Sequence, residues 1–230
     1  MSDIRIFIGY DPRQPISYNV LQHSIVIRST KPVAITPLII QQLPIKRVGL
    51  TPFTWTRFLV PHLCGYEGWG LFLDADMIVL DDIDKLFAMA DSRYAVMSVL
   101  GAAKFEHASL MLFNCSHEDN RKLTPEYIEN APALHGLQWT QAIGDLPKEW
   151  NHIVFYDEPR RDAKLVHYTA GVPVFKEVEG CEYSEEWGKD ARFMASAQSW
   201  QQLMGNSVHV AKIQEFQKKR KANGRSLILG

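Results

Sequence analysis

The apolar positions of this chain change period several times, and each change marks an element. In DIRIFIGYD, residues 3–11, Ile4, Ile6 and Ile8 alternate with Arg5 and Phe7 until Gly9 ends the run. That period of two predicts a strand. PISYNVLQHSIVIRS, residues 15–29, spaces Ile16, Val20, Ile25 and Ile27 at roughly helical intervals. VAITPLII reads as a second strand. TPFTWTRFLVPHL reads as a short helix, with Thr51 or Thr54 available as its cap and Phe53, Phe58 and Leu59 on one side. WGLFLDAD, residues 69–76, is a third strand without alternation, as in parallel sheets covered on both faces. DDIDKLFAMAD predicts a short helix with acids in its first turn. YAVMSVL and SLMLFN predict further buried strands, LTPEYIENA and LQWTQAIGDL helices, and KLVHYT a late strand. Strands alternating with helices imply an α/β fold with a mainly parallel sheet.

The character changes near Gly180. Residues 181–205 mix Tyr183, Trp187, Phe193 and Trp200 with charges. The stretch KIQEFQKKRKANGR then carries Lys212, Lys218, Lys219, Arg220, Lys221 and Arg225 around Ile213 and Phe216. We therefore expect a core domain over 1–180 and a helical extension with a basic tail over 181–230. The tail is either a solvated helix end or a contact with anionic lipid.

A length of 230 residues suits one such domain with an appendage, and the 46% apolar content supplies a core. The net charge of −1 gives no reason to expect a nucleic-acid partner. The first residues lack a secretory pattern, and no apolar run is long enough to cross a bilayer. Cys64, Cys115 and Cys181 are odd in number and form no CxxC pair, which argues against a zinc site or a disulfide framework. Together these features predict a cytoplasmic protein with free thiols, peripheral at the inner face of a membrane if the tail binds lipid.

Candidate chemistry centres on LFLDADMIVL. Residues two apart in an extended chain point the same way, so Asp74 and Asp76 project together and Ala75 projects opposite. They follow a buried strand, at the sheet edge where α/β proteins bind ligands. Two carboxylates this close repel each other unless a cation intervenes, and oxygen ligands suit Mg2+ or Mn2+. Asp81, Asp82 and Asp84 open a helix and read as cap and dipole partners. His107 is the remaining histidine expected near the pocket. Trp139, Trp150 and Trp187 read as core aromatics, with sugar stacking as the alternative. There is no GxGxxG, P-loop, HExxH or GxSxG motif.

WGLFLDADMIVLDDIDKLF resembles the metal-binding DxD segment of family 8 glycosyltransferases. IFIGYDPRQPISYNVLQHSI, FTWTRFLVPHL, SLMLFNC, LTPEYI, IGDLPKEWN, LVHYTAGVPVF and CEYSEEW extend the resemblance over residues 4–188. It implies a GT-A, Rossmann-like nucleotide-diphospho-sugar transferase fold, with a mainly parallel mixed sheet flanked by helices. It implies sugar transfer from a nucleotide sugar, a UDP-sugar first, with retention of configuration, to a saccharide or lipid-linked glycan.

By the same resemblance Tyr10 and Asp11 fall where the nucleotide base is held, and Arg57 falls near the donor. Asp74, Asp76 and His167 match the ligands of a divalent ion, Mn2+ first and Mg2+ second. Gln138 falls beside the anomeric carbon, as the position to test for catalysis. The chain departs from the family after His167, where Gly171 is four residues on and the segment reads GVPVF without the usual lysine; Lys176 is out of register. Two alternatives stay open: a non-catalytic nucleotide-sugar-binding protein on this fold, and a sugar nucleotidyltransferase. The latter would need a glycine- and lysine-rich loop where GYDPRQP offers only Arg13.

Overall fold

The computed structural model describes residues 4–195; the basic tail, with Lys212 to Arg225, and Trp200 lie outside the described residues. The chain opens with β1 (Ile4–Gly9), α1 (Pro15–Arg28) and β2 (Val33–Leu38). A 3-10 turn at Thr56–Leu59 runs into α2 (Val60–Leu63), followed by β3 (Trp69–Leu73), β4 (Met77–Val79) and α3 (Asp84–Phe87). Then come β5 (Val96–Ser98), β6 (Leu110–Asn114), α4 (Pro125–Asn130), β7 (Ile143–Asp145), β8 (His152–Ile153), β9 (Leu165–His167) and α5 (Ser184–Ala195).

Six strands form one sheet in the order β2-β1-β3-β6-β5-β7, and β4-β9-β8 form a second. The pairs β1/β2, β1/β3 and β5/β7 are parallel, while β6 runs antiparallel to both β3 and β5. Pro37 sits within β2, which is tolerated because β2 is an edge strand. The alternation in β1 divides two cores. Ile4, Ile6 and Ile8 pack with Leu71, Leu73, Leu21 and Ile25 on one face. Phe7 packs with Phe72, Met111, Phe58 and Trp139 on the other. Both faces of β3 are therefore covered, which explains its unbroken apolar run.

Pro15 starts α1, where a missing N–H costs nothing. Its buried face is Val20, Leu21, Ser24 and Ile25. Ile27, expected on that face, is instead 51% exposed. The apolar run Ile25-Val26-Ile27 exceeds what one helical stripe can bury. Ser24 joins α1 to the second sheet by donating to the Leu21 carbonyl (2.8 Å) and accepting from the Val79 amide (3.0 Å).

The segment LQWTQAIGDL is not helical. It is a loop leading into β7, with Leu137 at φ 59°. Side-chain bonds take the place of helical ones. The fully buried Asn120 accepts from the Trp139 indole (2.9 Å) and donates to the carbonyls of Ala95 (2.7 Å) and Asn114 (2.8 Å). Thr140 donates to Asp119 (2.6 Å). Gly144 then enters the sheet where a Cβ would strike the Tyr94 ring.

Cys64 and Cys115 are free and buried, and Cys115 Sγ donates to the Phe113 carbonyl at 3.8 Å. Residues after Gly180 pack on the body through Trp187, against Val20, Ile78 and Val166. Asp190 pairs with Arg28 at 2.9 Å. No helix among the described residues is long and apolar enough to cross a membrane.

Candidate metal centre

The parallel register of β1 and β3, with Ile8 opposite Leu73, brings Tyr10–Asp11 and Asp74–Asp76 to the same edge of the sheet. Asp74 and Asp76 link the two sheets. The Asp74 amide donates to the Ser109 carbonyl (2.9 Å), extending β3/β6. The Asp76 carbonyl accepts from the Tyr168 amide (2.9 Å), extending β4/β9. Ala75 points into the core. His167 ends β9, opposite Met77, so strand pairing alone carries it to the aspartates from far along the chain.

Five ionisable side chains meet there. Arg57 is buried and places Nη2 3.0 Å from Asp74 Oδ1 and Nη1 3.3 Å from Oδ2. Arg57 also donates to the Ala108 carbonyl at 2.8 Å. His167 Nε2 is 3.3 Å from Asp76 Oδ1. On the other side of the ring, His167 Nδ1 is 3.7 Å from Oε2 of Glu106, whose Oε1 accepts from the Thr169 hydroxyl. Asp74 Oδ1, Asp76 Oδ1 and His167 Nδ1 are buried and met only by these ion pairs, none of which has the geometry of a hydrogen bond.

These atoms are the test of fit for a cation. Buried polar atoms normally find well-formed hydrogen bonds, and carboxylate oxygens crowded beside an imidazole without them suit a cation. Asp74, Glu106 and His167 each offer a ligand atom, all within 4.8 Å of one another. Three carboxylates against one guanidinium leave a formal charge of −2 when His167 is neutral. A divalent ion balances that, and the oxygen-rich donor set with one imidazole suits Mn2+ or Mg2+.

Without a cation the charges distort the protonation equilibria. Burial pushes the Asp74 carboxyl up, Arg57 pulls it back and Asp76 raises it again, leaving it at about 7. Burial by itself lowers His167, but Asp76, Glu106 and Asp74 more than reverse this and hold the imidazolium to about 9. Both groups thus hold protons more tightly when folded. The contribution of His167 is full below its ordinary value of 6.5 and lost as pH rises through about 9. Ionising Asp74 costs stability as pH rises from its ordinary 3.8 through about 7. Metal binding needs both groups deprotonated, so its benefit has the opposite trend. Calorimetric scans of metal-free protein should show the melting temperature falling between pH 6.5 and 9, and the gain from Mn2+ growing over the same range. A gain independent of pH would contradict this account.

The other expected residues are placed as follows. Tyr10 meets Tyr18 edge-to-face, and Asp11 pairs with Arg13 at 2.6 Å, which holds its carboxyl below the usual range. Gln138 is exposed on the loop between α4 and β7. Asp81 binds Lys85, Asp82 the Thr30 hydroxyl and the Asp84 amide, and Asp84 binds Lys31, so all three are spent on structural contacts, within the turn or to the segment that follows α1. Trp139, Trp150 and Trp187 are core. His107 lies beside the cluster in sequence. Its ring turns to the Leu100 carbonyl (3.2 Å), and its neighbour Glu106 occupies the site. Sequence reasoning missed Glu106; an acid within the apolar surroundings of FEHASLMLF was the available signal.

Phe105, next to Glu106, meets Tyr156 edge-on at 5.3 Å, and both are 58% exposed. Phe155, also exposed, is held at φ 71°, a conformation that L side chains rarely adopt.

This architecture is the GT-A glycosyltransferase fold. The chain superposes on the WbbM bifunctional glycosyltransferase with a TM-score of 0.61, at 14% identity over 88% of this chain and 51% of that one. It superposes on the glycosyltransferase GlyE of Streptococcus pneumoniae TIGR4 with a TM-score of 0.61, at 16% identity over 82% of this chain and 61% of that one. For an active-site mutant of LgtC the TM-score is 0.58, at 12% identity over 82% and 95%. The chain thus spans about half the length of WbbM and about three-fifths of GlyE. No family model matches the sequence. It is, however, 36% identical over 219 residues to Protein CDI of Arabidopsis thaliana, covering 80% of this chain and 84% of that protein. The chain belongs to the family of Protein CDI.

Proposed function

We propose that the protein is a metal-dependent glycosyltransferase that moves a sugar from a nucleotide-diphosphate donor, a UDP-sugar first, to a saccharide or lipid-linked glycan. The carrying observation is the convergence of Asp74, Asp76 and His167 in a cluster of three carboxylates that Arg57 alone does not neutralise, at the ligand edge of a GT-A fold. Mn2+ or Mg2+ held there would act as a Lewis acid on the departing diphosphate. Arg57 fixes Asp74 and adds positive charge beside the leaving group. Tyr10 and Asp11, at the same edge, are the assigned contacts for the base. Gln138 is the side chain that the family 8 resemblance puts beside the anomeric carbon, and that resemblance also carries the expectation of retention. The likeness to LgtC, a galactosyltransferase solved with donor and acceptor sugar analogs, supports a two-substrate reading.

Incubation with Mn2+ and a panel of UDP-sugars, read as UDP released, tests this. A protein that neither binds nor consumes any donor with any divalent ion would sink it. The altered GVPVF segment, with Val174 and Phe175 exposed and no lysine within it, favours one second reading, a non-catalytic nucleotide-sugar-binding protein. Calorimetric UDP binding without turnover would mark that case. A nucleotidyltransferase is disfavoured because Arg13, the sole basic residue of GYDPRQP, is spent on Asp11.

We assign Phe105 and Tyr156 to the acceptor, since exposed rings can stack on the apolar face of a sugar. Tyr156→Ala should raise the acceptor KM about tenfold and leave donor hydrolysis by water unchanged. Equal losses in both reactions would remove this assignment.

A further inference from the structure

We propose that Glu106 is the positioning residue for His167: it accepts the Nδ1 proton and so presents Nε2 to the metal ion. The inference rests on the metal reading above and deepens it.

Glu106 is a buried carboxylate whose sole partner among the described ion pairs is His167. Such a charge is costly to keep inside without a specific use. Its surroundings hold it in one orientation. The Glu106 carbonyl accepts from both the amide (3.1 Å) and the hydroxyl (2.7 Å) of Ser109, and the Ser109 carbonyl accepts from the Asp74 amide. Its side-chain Oε1 is taken by Thr169, two residues beyond His167. One short path therefore connects Glu106 to both Asp74 and His167. The remaining Oε2 faces His167 Nδ1, a buried nitrogen with no hydrogen-bond partner.

His167 thus has a carboxylate at each nitrogen, Asp76 at Nε2 and Glu106 at Nδ1. In the neutral ring one nitrogen carries the proton and the other is free to ligate. Accessibility decides between them. The Asp76 side chain is 30% exposed, so a donor phosphate can reach an ion beside it. The Glu106 side chain is 8% exposed and has one oxygen already committed. The ion belongs with Nε2 and the proton with Nδ1. Carboxylate partners of this kind fix the tautomer and ring orientation of metal-binding histidines, and losing one typically costs 10–100-fold in affinity.

The test is Mn2+ titration calorimetry without nucleotide on wild type, Glu106→Leu and Glu106→Gln, with circular dichroism to verify folding. Glu106→Leu should bind Mn2+ about 10–100-fold more weakly. Glu106→Gln keeps an acceptor oxygen and should stay within a few-fold of wild type. Wild-type affinity in Glu106→Leu would overturn the proposal while leaving the metal reading intact. A loss in Glu106→Gln as large as in Glu106→Leu would also overturn it, since it would make Glu106 a ligand through its charge. No Mn2+ binding by wild type would bring down the metal reading and this proposal with it. A nitrogen-15 NMR spectrum of wild type loaded with diamagnetic Mg2+ decides the matter even if Glu106→Leu does not fold. His167 protonated at Nδ1 supports the role, and His167 protonated at Nε2 overturns it.

Discussion

Asp76→Ala is expected to lower Mn2+-dependent consumption of a UDP-sugar by at least about 10³-fold while the metal-free protein melts within a few degrees of wild type. The two halves of this expectation come from different atoms. The backbone carbonyl of Asp76 makes the link to Tyr168 in the second sheet, and alanine keeps it. The side-chain Oδ1 meets only His167 Nε2, at 3.3 Å, and an imidazole that loses this partner can shed its proton rather than stay charged and unpaired. It also relieves repulsion on Asp74. Under the proposed function, what is lost is a ligand, and with it stabilisation of the leaving diphosphate. Lewis-acid stabilisation is worth several kcal/mol, and about 4 kcal/mol corresponds to about 10³ in rate. UDP release at saturating Mn2+, followed by chromatography, measures the effect. Turnover within tenfold of wild type would remove Asp76 from the reaction. Asp74→Asn is a poorer probe, because it strands the buried Arg57 charge as well.

The parts of this molecule legible from sequence are those where a simple period governs. β1, β3 and β6 are buried along their length, so their apolar runs announce them. Asp74 and Asp76 stand out because they interrupt such a run, and Ala75 lies on the opposite side as a spacing of two requires. His167 needed the resemblance, because the β4/β9 pairing that brings it to Asp76 joins segments distant in sequence. The same pairing places MIV in a second sheet, and hydrophobicity carries no mark of sheet membership. Glu106 was hidden for another reason. It sits in a 3-10 turn, Lys104–Glu106, where neighbouring side chains diverge, and the one facing the site could not be told from its neighbour His107. LQWTQAIGDL misled because its large apolar residues fill a core around Asn120 rather than one stripe of a helix. Local period cannot report a loop shaped by side-chain hydrogen bonds.

The largest stability effect is expected at Arg57. It is a buried guanidinium bound to Asp74 and to the Ala108 carbonyl, and it lies over the rings of Phe72 (5.0 Å) and Phe53 (5.6 Å). Arg57→Met keeps an unbranched apolar stem against those rings. It leaves a buried carboxylate without its cation, and breaking such a pair from one side costs about 3–5 kcal/mol. The cost should depend on pH. Asp74 stands at about 7 even with Arg57 pulling it down, so without Arg57 it rises further. At pH 6 the folded variant holds the Asp74 proton and escapes much of the penalty. At pH 8 it must either bury an unpaired charge or take a proton from dilute solution. Urea unfolding should therefore show a larger loss at pH 8 than at pH 6. Asp74→Asn in the Arg57→Met background removes the stranded charge and should recover much of the loss at pH 8. Mn2+ should raise the melting temperature of Arg57→Met more than that of wild type, because an ion at the site replaces the missing positive charge. A loss equal at both pH values and indifferent to Mn2+ would mean that Arg57 matters for packing alone, and that Asp74 is not the carboxylate it neutralises.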